Sequence, residues 1–120
     1  MAQEEKELLL KDLSARLPYG TFVQFEVDGH KAIKALTVDF LSCTWYHTEL
    51  IKPYLRSMSS MTEEEREEER KLWDIITKTR NDLHYLYTDF LLSRHLDYRG
   101  LIPIGLALEA PKDMYSTKTE

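Results

Sequence analysis

Two kinds of hydrophobic spacing divide this 120-residue chain into helical and extended regions. Leucines at positions 9, 10, 13 and 17 recur at helical spacing and predict an N-terminal helix over residues 3–17, which Pro18 ends. From Thr21 to Val27 apolar and polar residues alternate, as in a strand with one buried face. From residue 72 to residue 91 the apolar positions return to helical phase and predict a helical C-terminal half.

The alternating segment is followed by Asp28-Gly29, a dipeptide typical of a two-residue hairpin turn. A second strand is therefore expected over residues 31–38, and a third over residues 40–46. Together they predict a small antiparallel β-meander over residues 21–47, with closure into a barrel as an alternative. We also expect a single helical turn over residues 53–56, begun by its proline, and an edge strand within residues 106–109.

The junction between the two halves contains Thr62 followed by a glutamate at the third position, Glu65, which predicts a capping box and a helix start. One helix over residues 62–96 would be about 50 Å long, whereas a domain of this size is about 35 Å across. A break near residues 77–82 is therefore expected. The alternative is a long helix that packs against a second copy, so the chain is predicted to be a monomer or a homodimer.

These elements predict an α+β fold in one domain, residues 1–120, with a loose tail over residues 112–120. The formal net charge of −5 and the absence of a basic cluster argue against a dedicated nucleic-acid-binding protein. A single cysteine fits a reducing compartment, and neither a signal peptide nor a membrane-spanning stretch is recognisable. We therefore expect a cytoplasmic protein without membrane contact.

Candidate chemistry is sparse. Two pairs of potential metal ligands share a face of a predicted element, but each pair lies too far apart to share a metal ion, at about 13 Å for Cys43 to His47 and about 16 Å for His84 to His95. The serines lack a nucleophile-elbow motif, and four glycines provide no phosphate-binding loop. We accordingly predict no catalytic, metal or cofactor site, no bound cofactor and no enzymatic activity.

Two clusters combine residue types that are enriched at protein interfaces. They are Tyr54 with Arg56, and Tyr98 with Arg99. These four are the candidate protein-binding residues, although packed tyrosine rings and arginines that pair within the fold are the alternative interpretation.

The segments KDLSARLPYG, IKPYLRSMSSMTEEE, LDYRGLI and GLALEAP resemble a group of short proteins from gut bacteria and their mobile elements, for which no activity is known. The resemblance covers both ends and the middle of the chain. It implies no catalytic residue.

Two functions are therefore considered. The first is a non-catalytic protein-interaction or accessory module that binds a host protein or one encoded by a mobile element. The second is a nucleic-acid-associated accessory factor that uses a sheet face carrying Lys31 and Lys34.

Overall fold

A computed structural model describes residues 2–44, 47, 50–78, 83–111 and 113–115. Its helices are α1 (Gln3–Arg16), α2 (Val38–Thr44), α3 (Glu63–Lys78) and α4 (His84–Ser93). Its strands are β1 (Phe22–Val27), β2 (His30–Ala35), β3 (Ile51–Leu55) and β4 (Leu108–Glu109). The predicted α+β class is confirmed. No helix within the described residues is both long and apolar enough to cross a membrane.

The hairpin between β1 and β2 forms where the sequence predicts it. Asp28 and Gly29 adopt left-handed φ angles of 52° and 79°, and Val27 pairs directly with His30. Two consecutive positive φ angles are the property of the tight turn whose twist matches that of the flanking strands. The turn sets the register of all six β1–β2 pairs.

The sheet differs from the predicted meander in its strand order, which is β2-β1-β3-β4. β1 pairs antiparallel with β2 on one side and with β3 on the other, whereas β3 and β4 are parallel. The chain therefore crosses over between β2 and β3 instead of turning back beside β2. The sheet is mixed, and it is not closed into a barrel.

The third strand predicted over residues 40–46 is wrong, because residues 38–44 form α2. The Phe40 N–H donates to the Thr37 hydroxyl at 3.1 Å, so a threonine cap begins the helix. The rings of Phe40 and of Phe25 on β1 pack in a T-shaped arrangement with 5.3 Å between centroids, and Leu41 is buried. The end of the predicted strand, residues 45 and 46, lies outside the described residues.

The helical turn predicted over residues 53–56 is also wrong, because Pro53 lies in the middle of β3. Its partner on β1 is Val23, and the register places this pair where the backbone groups of Val23 point towards β2. A proline nitrogen at such a position costs the β1–β3 ladder no hydrogen bond. The proline side chain is instead fully buried on the same face as Ile51 and Leu55.

One core lies between α1 and the inner face of the sheet. Leu9 and Leu13 of α1 pack with Val23, Ile51 and Leu55, all of them fully buried. The predicted helix over residues 3–17 thus covers the sheet as expected, and a short 3₁₀ turn, Leu17–Tyr19, extends it.

The helical half consists of two helices rather than one. The Thr62 N–H donates to Glu65 Oε1 at 2.9 Å and the Glu65 N–H donates to the Thr62 hydroxyl at 3.2 Å, which confirms the capping box. α3 ends at Lys78 and α4 begins at His84, so the single-helix alternative is wrong; residues 79–82 lie outside the described residues. The Trp73 and Tyr87 rings pack at 4.9 Å, whereas Arg94 pairs with Glu68, so α3 and α4 run antiparallel.

Candidate functional site

Arg56, one of the four candidate binding residues, is engaged within the fold. Its Nη2 and Nη1 donate to Glu65 Oε1 and Oε2 at 2.7 and 2.8 Å, and Nη2 also donates to the Ser60 carbonyl at 3.0 Å. The Glu65 side chain is only 3% exposed. This bidentate ion pair joins the start of α3 to the residue that follows β3. The Arg56 guanidinium is therefore already paired within the fold.

Tyr98 and Arg99 belong to a second internal network. Arg99 Nη2 donates to the Tyr98 hydroxyl at 2.8 Å, and its Nε donates to Asp12 of α1 at 3.1 Å. The other Asp12 oxygen accepts from Arg16 Nε at 2.8 Å, and both Asp12 and Arg16 are fully buried. The network therefore ties the loop after α4 to α1.

The fourth candidate, Tyr54, is 9% exposed, and its hydroxyl accepts from Gln24 Nε2 at 3.3 Å. The structure does not bring the four candidates together on one exposed surface. Each has an intramolecular partner, as the alternative interpretation of these residue types expects.

A buried polar centre that the sequence did not indicate surrounds His95. This residue has a φ angle of 60°, its ring stacks on Tyr115 at 3.8 Å, and its Nδ1 lies 3.1 Å from the Thr21 hydroxyl. Burial, together with the charges of Arg16 and Arg56, lowers the pKa of His95 to about 4. Because Thr21 is fully buried and the Tyr115 ring covers the imidazole, this contact offers no accessible nucleophile.

Tyr115 joins the C-terminal segment to the sheet. Its hydroxyl accepts from the Phe22 N–H at 2.7 Å and donates to the Tyr54 carbonyl at 2.8 Å. Phe22 and Tyr54 come directly after Val23–Pro53, the last pair of the β1–β3 ladder. The Tyr115 hydroxyl therefore bridges the two strands just beyond the end of their ladder. Burial raises the pKa of Tyr115 to about 12, so the hydroxyl keeps its proton.

Strand β2 differs from every element described so far, because all six of its residues are exposed. Among the residues that the structure describes it pairs only with β1, so it is an edge strand. The Leu36 N–H donates to the Thr21 carbonyl at 2.9 Å, and backbone groups alternate in direction along a strand. The N–H and C=O groups of Lys31, Ile33 and Ala35 therefore point away from β1 along the free edge.

The side chains of β2 divide between the two faces of the sheet. Lys34 pairs with buried Val23 and lies on the core side, whereas Ile33 pairs with Gln24 on the outer face, where Lys31 also lies. Lys31 and Lys34 thus lie on opposite faces. The nucleic-acid hypothesis depends on one sheet face that carries both lysines. The structure has no such face, because the two side chains lie on opposite sides of the sheet.

The outer face of the sheet carries two shallow depressions. One, with a volume of about 350 Å³, is polar and is lined by Lys31 and Lys52 together with Gln24 and Glu26. The other, of about 460 Å³, is largely apolar and is lined by Phe22, Ile33 and Met114. Ile33 is 57% exposed, so an apolar side chain stands at the free edge.

The sequence does contain a signal for this edge. The β2 segment, HKAIKA, has one large apolar residue in six, so neither of its faces can contribute substantially to a core. A strand of this composition is expected at the edge of a sheet, where lysine is also common.

Among the residues that the structure describes, no three His, Cys, Asp or Glu side chains are grouped in a way that could hold a metal ion. Comparison of the chain with protein-family models, curated proteins and solved structures gives no match. The resemblance to short gut-bacterial proteins therefore stays a prediction, and the function must be inferred from the geometry.

Proposed function

We propose that this protein is a non-catalytic protein-interaction module that binds an extended segment of a partner protein along the free edge of β2. The observation that supports the proposal most directly is that all six residues of this strand are exposed while an ordered hairpin with β1 holds it extended. The single cysteine, Cys43, is exposed and unpaired, which suits a reducing cytoplasm.

The free edge offers three residues with outward N–H and C=O groups, Lys31, Ile33 and Ala35. A row of such groups is a template for main-chain hydrogen bonds with an added strand. The hairpin holds the template in an extended form before binding, so a partner strand meets a prearranged edge and little ordering entropy is lost on the module's side.

The other surfaces support binding less well. The arginines and tyrosines favoured by composition have internal partners, as described above. The lysines proposed for nucleic-acid binding lie on opposite faces, so they cannot line one phosphate track on a sheet face. The edge, in contrast, exposes backbone groups and side chains together.

A proline substitution tests the edge selectively. Ile33→Pro removes an outward N–H, and because that N–H does not face β1 the hairpin ladder keeps all its bonds. Ile33→Thr is the matched control, since it also removes the isoleucine side chain but retains the N–H. Both variants and the wild type are immobilised and used for capture from a lysate of the native cell, after circular dichroism has shown that each is folded.

We expect a stoichiometric protein partner on the wild type and on Ile33→Thr that is lost on Ile33→Pro. Hydrogen exchange of the isolated complex should then be slowed at Lys31, Ile33 and Ala35. A partner retained by Ile33→Pro, protection confined to another surface, or the absence of any captured protein would each contradict the proposal.

A further inference from the structure

Given the proposed binding along β2, we infer that the partner strand runs antiparallel to β2 and carries two acidic residues three positions apart, with an apolar residue directly after the first. In sequence, the partner motif is acidic–apolar–any–acidic. The inference depends on the proposed function for the location of the partner, and on the charges and spacing of the β2 side chains for its chemistry.

The lysines of β2 provide the charge for this recognition. Both Lys31 and Lys34 are exposed, and neither forms an ion pair within the part of the chain that the structure describes. Glu26 lies opposite Lys31 on β1 but makes no ion pair with it. Each ammonium group is therefore available to a carboxylate on a strand added at the free edge.

The spacing of the β2 residues determines the motif. A strand added antiparallel places residues directly opposite Lys34, Ile33 and Lys31 in that order along its own sequence. Carboxylates opposite the two lysines and an apolar side chain opposite Ile33 then give the motif stated above. Since the lysines lie on opposite faces, the two ion pairs form on both sides of the added strand.

A second copy of this chain is a poor occupant of the same edge. Residues whose backbone groups point to the free edge must face each other in an antiparallel pair, so in the centred pairing of two β2 strands Lys31 faces Ala35 and Lys34 faces Ala32. A second copy therefore supplies no carboxylate to either lysine. Lysine on an edge strand is a recognised deterrent to such self-pairing. Self-pairing leaves both lysines without a counter-charge, whereas an acidic strand supplies one to each.

Three capped peptides of equal length test the inference, with sequences TEVTEVT, TQVTQVT and TKVTKVT. Each can place its two varied residues opposite Lys34 and Lys31 and a valine opposite Ile33. They are titrated to several millimolar into the full-length ¹⁵N-labelled protein, and shifts of the backbone amides of β2 are followed. We expect the glutamate peptide to bind roughly three- to tenfold more tightly than the glutamine peptide, and the lysine peptide to bind most weakly.

Charge reversal provides the controls. The double variant K31E/K34E should invert the order of the three peptides. Lys52→Glu should leave it unchanged, because Lys52 lies on β3, about 10 Å from β2 and further still from an added strand. If Lys52→Glu weakens the glutamate peptide as much as K31E/K34E does, the acidic ligand binds the outer face of the sheet and the inference is overturned.

The remaining outcomes separate this inference from the proposed function. If the glutamine peptide shifts the edge amides and binds as tightly as the glutamate peptide, β2 accepts a strand without the charge preference, and only the inference is overturned. If none of the three peptides shifts the amides of Lys31, Ile33 and Ala35, strand addition at this edge is refuted, and the inference falls with it.

Discussion

Replacing Glu65 by glutamine should destabilise the protein far more than removing the cap that the same residue helps to form. Glutamine retains the shape of the side chain and can still accept the Thr62 N–H, so the capping box survives. What is lost is the negative charge that faces Arg56 at 2.7 Å and Arg94 at 3.6 Å. Two guanidinium groups are then left close together without their shared counter-charge.

The size of the effect follows from the burial of the pair. Glu65 and Arg56 have side chains that are 3% and 12% exposed, and removing one partner of a buried pair typically costs about 3–5 kcal/mol. Because Arg56 keeps some contact with water, we expect about 3 kcal/mol. A chain of 120 residues has a total stability of about 6–18 kcal/mol, so the loss is a large fraction of it. The melting temperature should fall by about 12 °C.

Urea unfolding at pH 7 measures the free energy of unfolding. It can be followed by the fluorescence of Trp73, whose ring packs on Tyr87 in the folded protein. Thr62→Ala is the matched control, because it removes a cap hydrogen bond and leaves the ion pair, at an expected cost of about 1 kcal/mol. If Glu65→Gln costs no more than Thr62→Ala, the charge of Glu65 does not anchor α3 and the reasoning is refuted.

The pH dependence of the same pair has a definite sign. Burial raises the pKa of Glu65, but the hydrogen bond from Arg56, the Thr62 amide and the two arginine charges outweigh it and lower the pKa below 4.5. The contribution of Glu65 to stability is therefore complete above pH 4.5 and is lost as the pH falls below that value. Glu65→Gln should remove this part of the acid sensitivity.

Three further predictions concern the loop after α4 and the C-terminal segment. Tyr115→Phe should lower the free energy of unfolding by about 2 kcal/mol in urea titrations, because a strand N–H and a strand carbonyl lose their bridge while the ring stack persists. Since the folded pKa of His95 is about 4, against 6.5 unfolded, stability should fall by about 2 kcal/mol between pH 6.5 and pH 4 after allowance for partial exposure. In His95→Asn, which tolerates a positive φ angle, this loss should be absent from the pH profile of the melting temperature. Asp97→Ala should cost about 2–3 kcal/mol by calorimetry, because its carboxylate accepts the Leu101 and Ile102 amides at 2.8 and 2.9 Å.

The elements that the sequence predicts well are those specified by neighbouring residues. The N-terminal helix follows from leucine spacing, the hairpin from Asp28-Gly29, and the start of α3 from Thr62 and Glu65. In each case the physical cause, whether a stripe, a turn conformation or a cap, lies within a few residues of the element. Such signals do not depend on the rest of the fold.

The elements that were predicted wrongly depend on distant partners. The apolar residues among positions 40–44 suit a strand or a short helix, and the helix is the form in which Phe40 packs against Phe25 of β1. Proline is common at the start of helices, which is why Pro53 suggested one. Here its nitrogen points away from β1, so it fits within β3, and this can be seen only from the order of the strands. The same limit applies to the site, since the exposure of β2 depends on β3 occupying the other side of β1.

Stability and proposed binding are assigned to different parts of this molecule, and that separation makes the binding hypothesis testable. The arginine–carboxylate networks around Glu65 and Asp12 hold the helices and the following loop, so changes there alter folding. The exposed side chains of β2 make no ion pair within the described residues, and substitutions at such positions usually change stability by no more than about 0.5 kcal/mol. K31E/K34E combines two such substitutions and places a glutamate opposite Glu26, so its free energy of unfolding should lie within about 1 to 2 kcal/mol of the wild type and the variant should remain folded. A loss of binding in that variant can then be attributed to the edge itself, and not to a loss of folded protein.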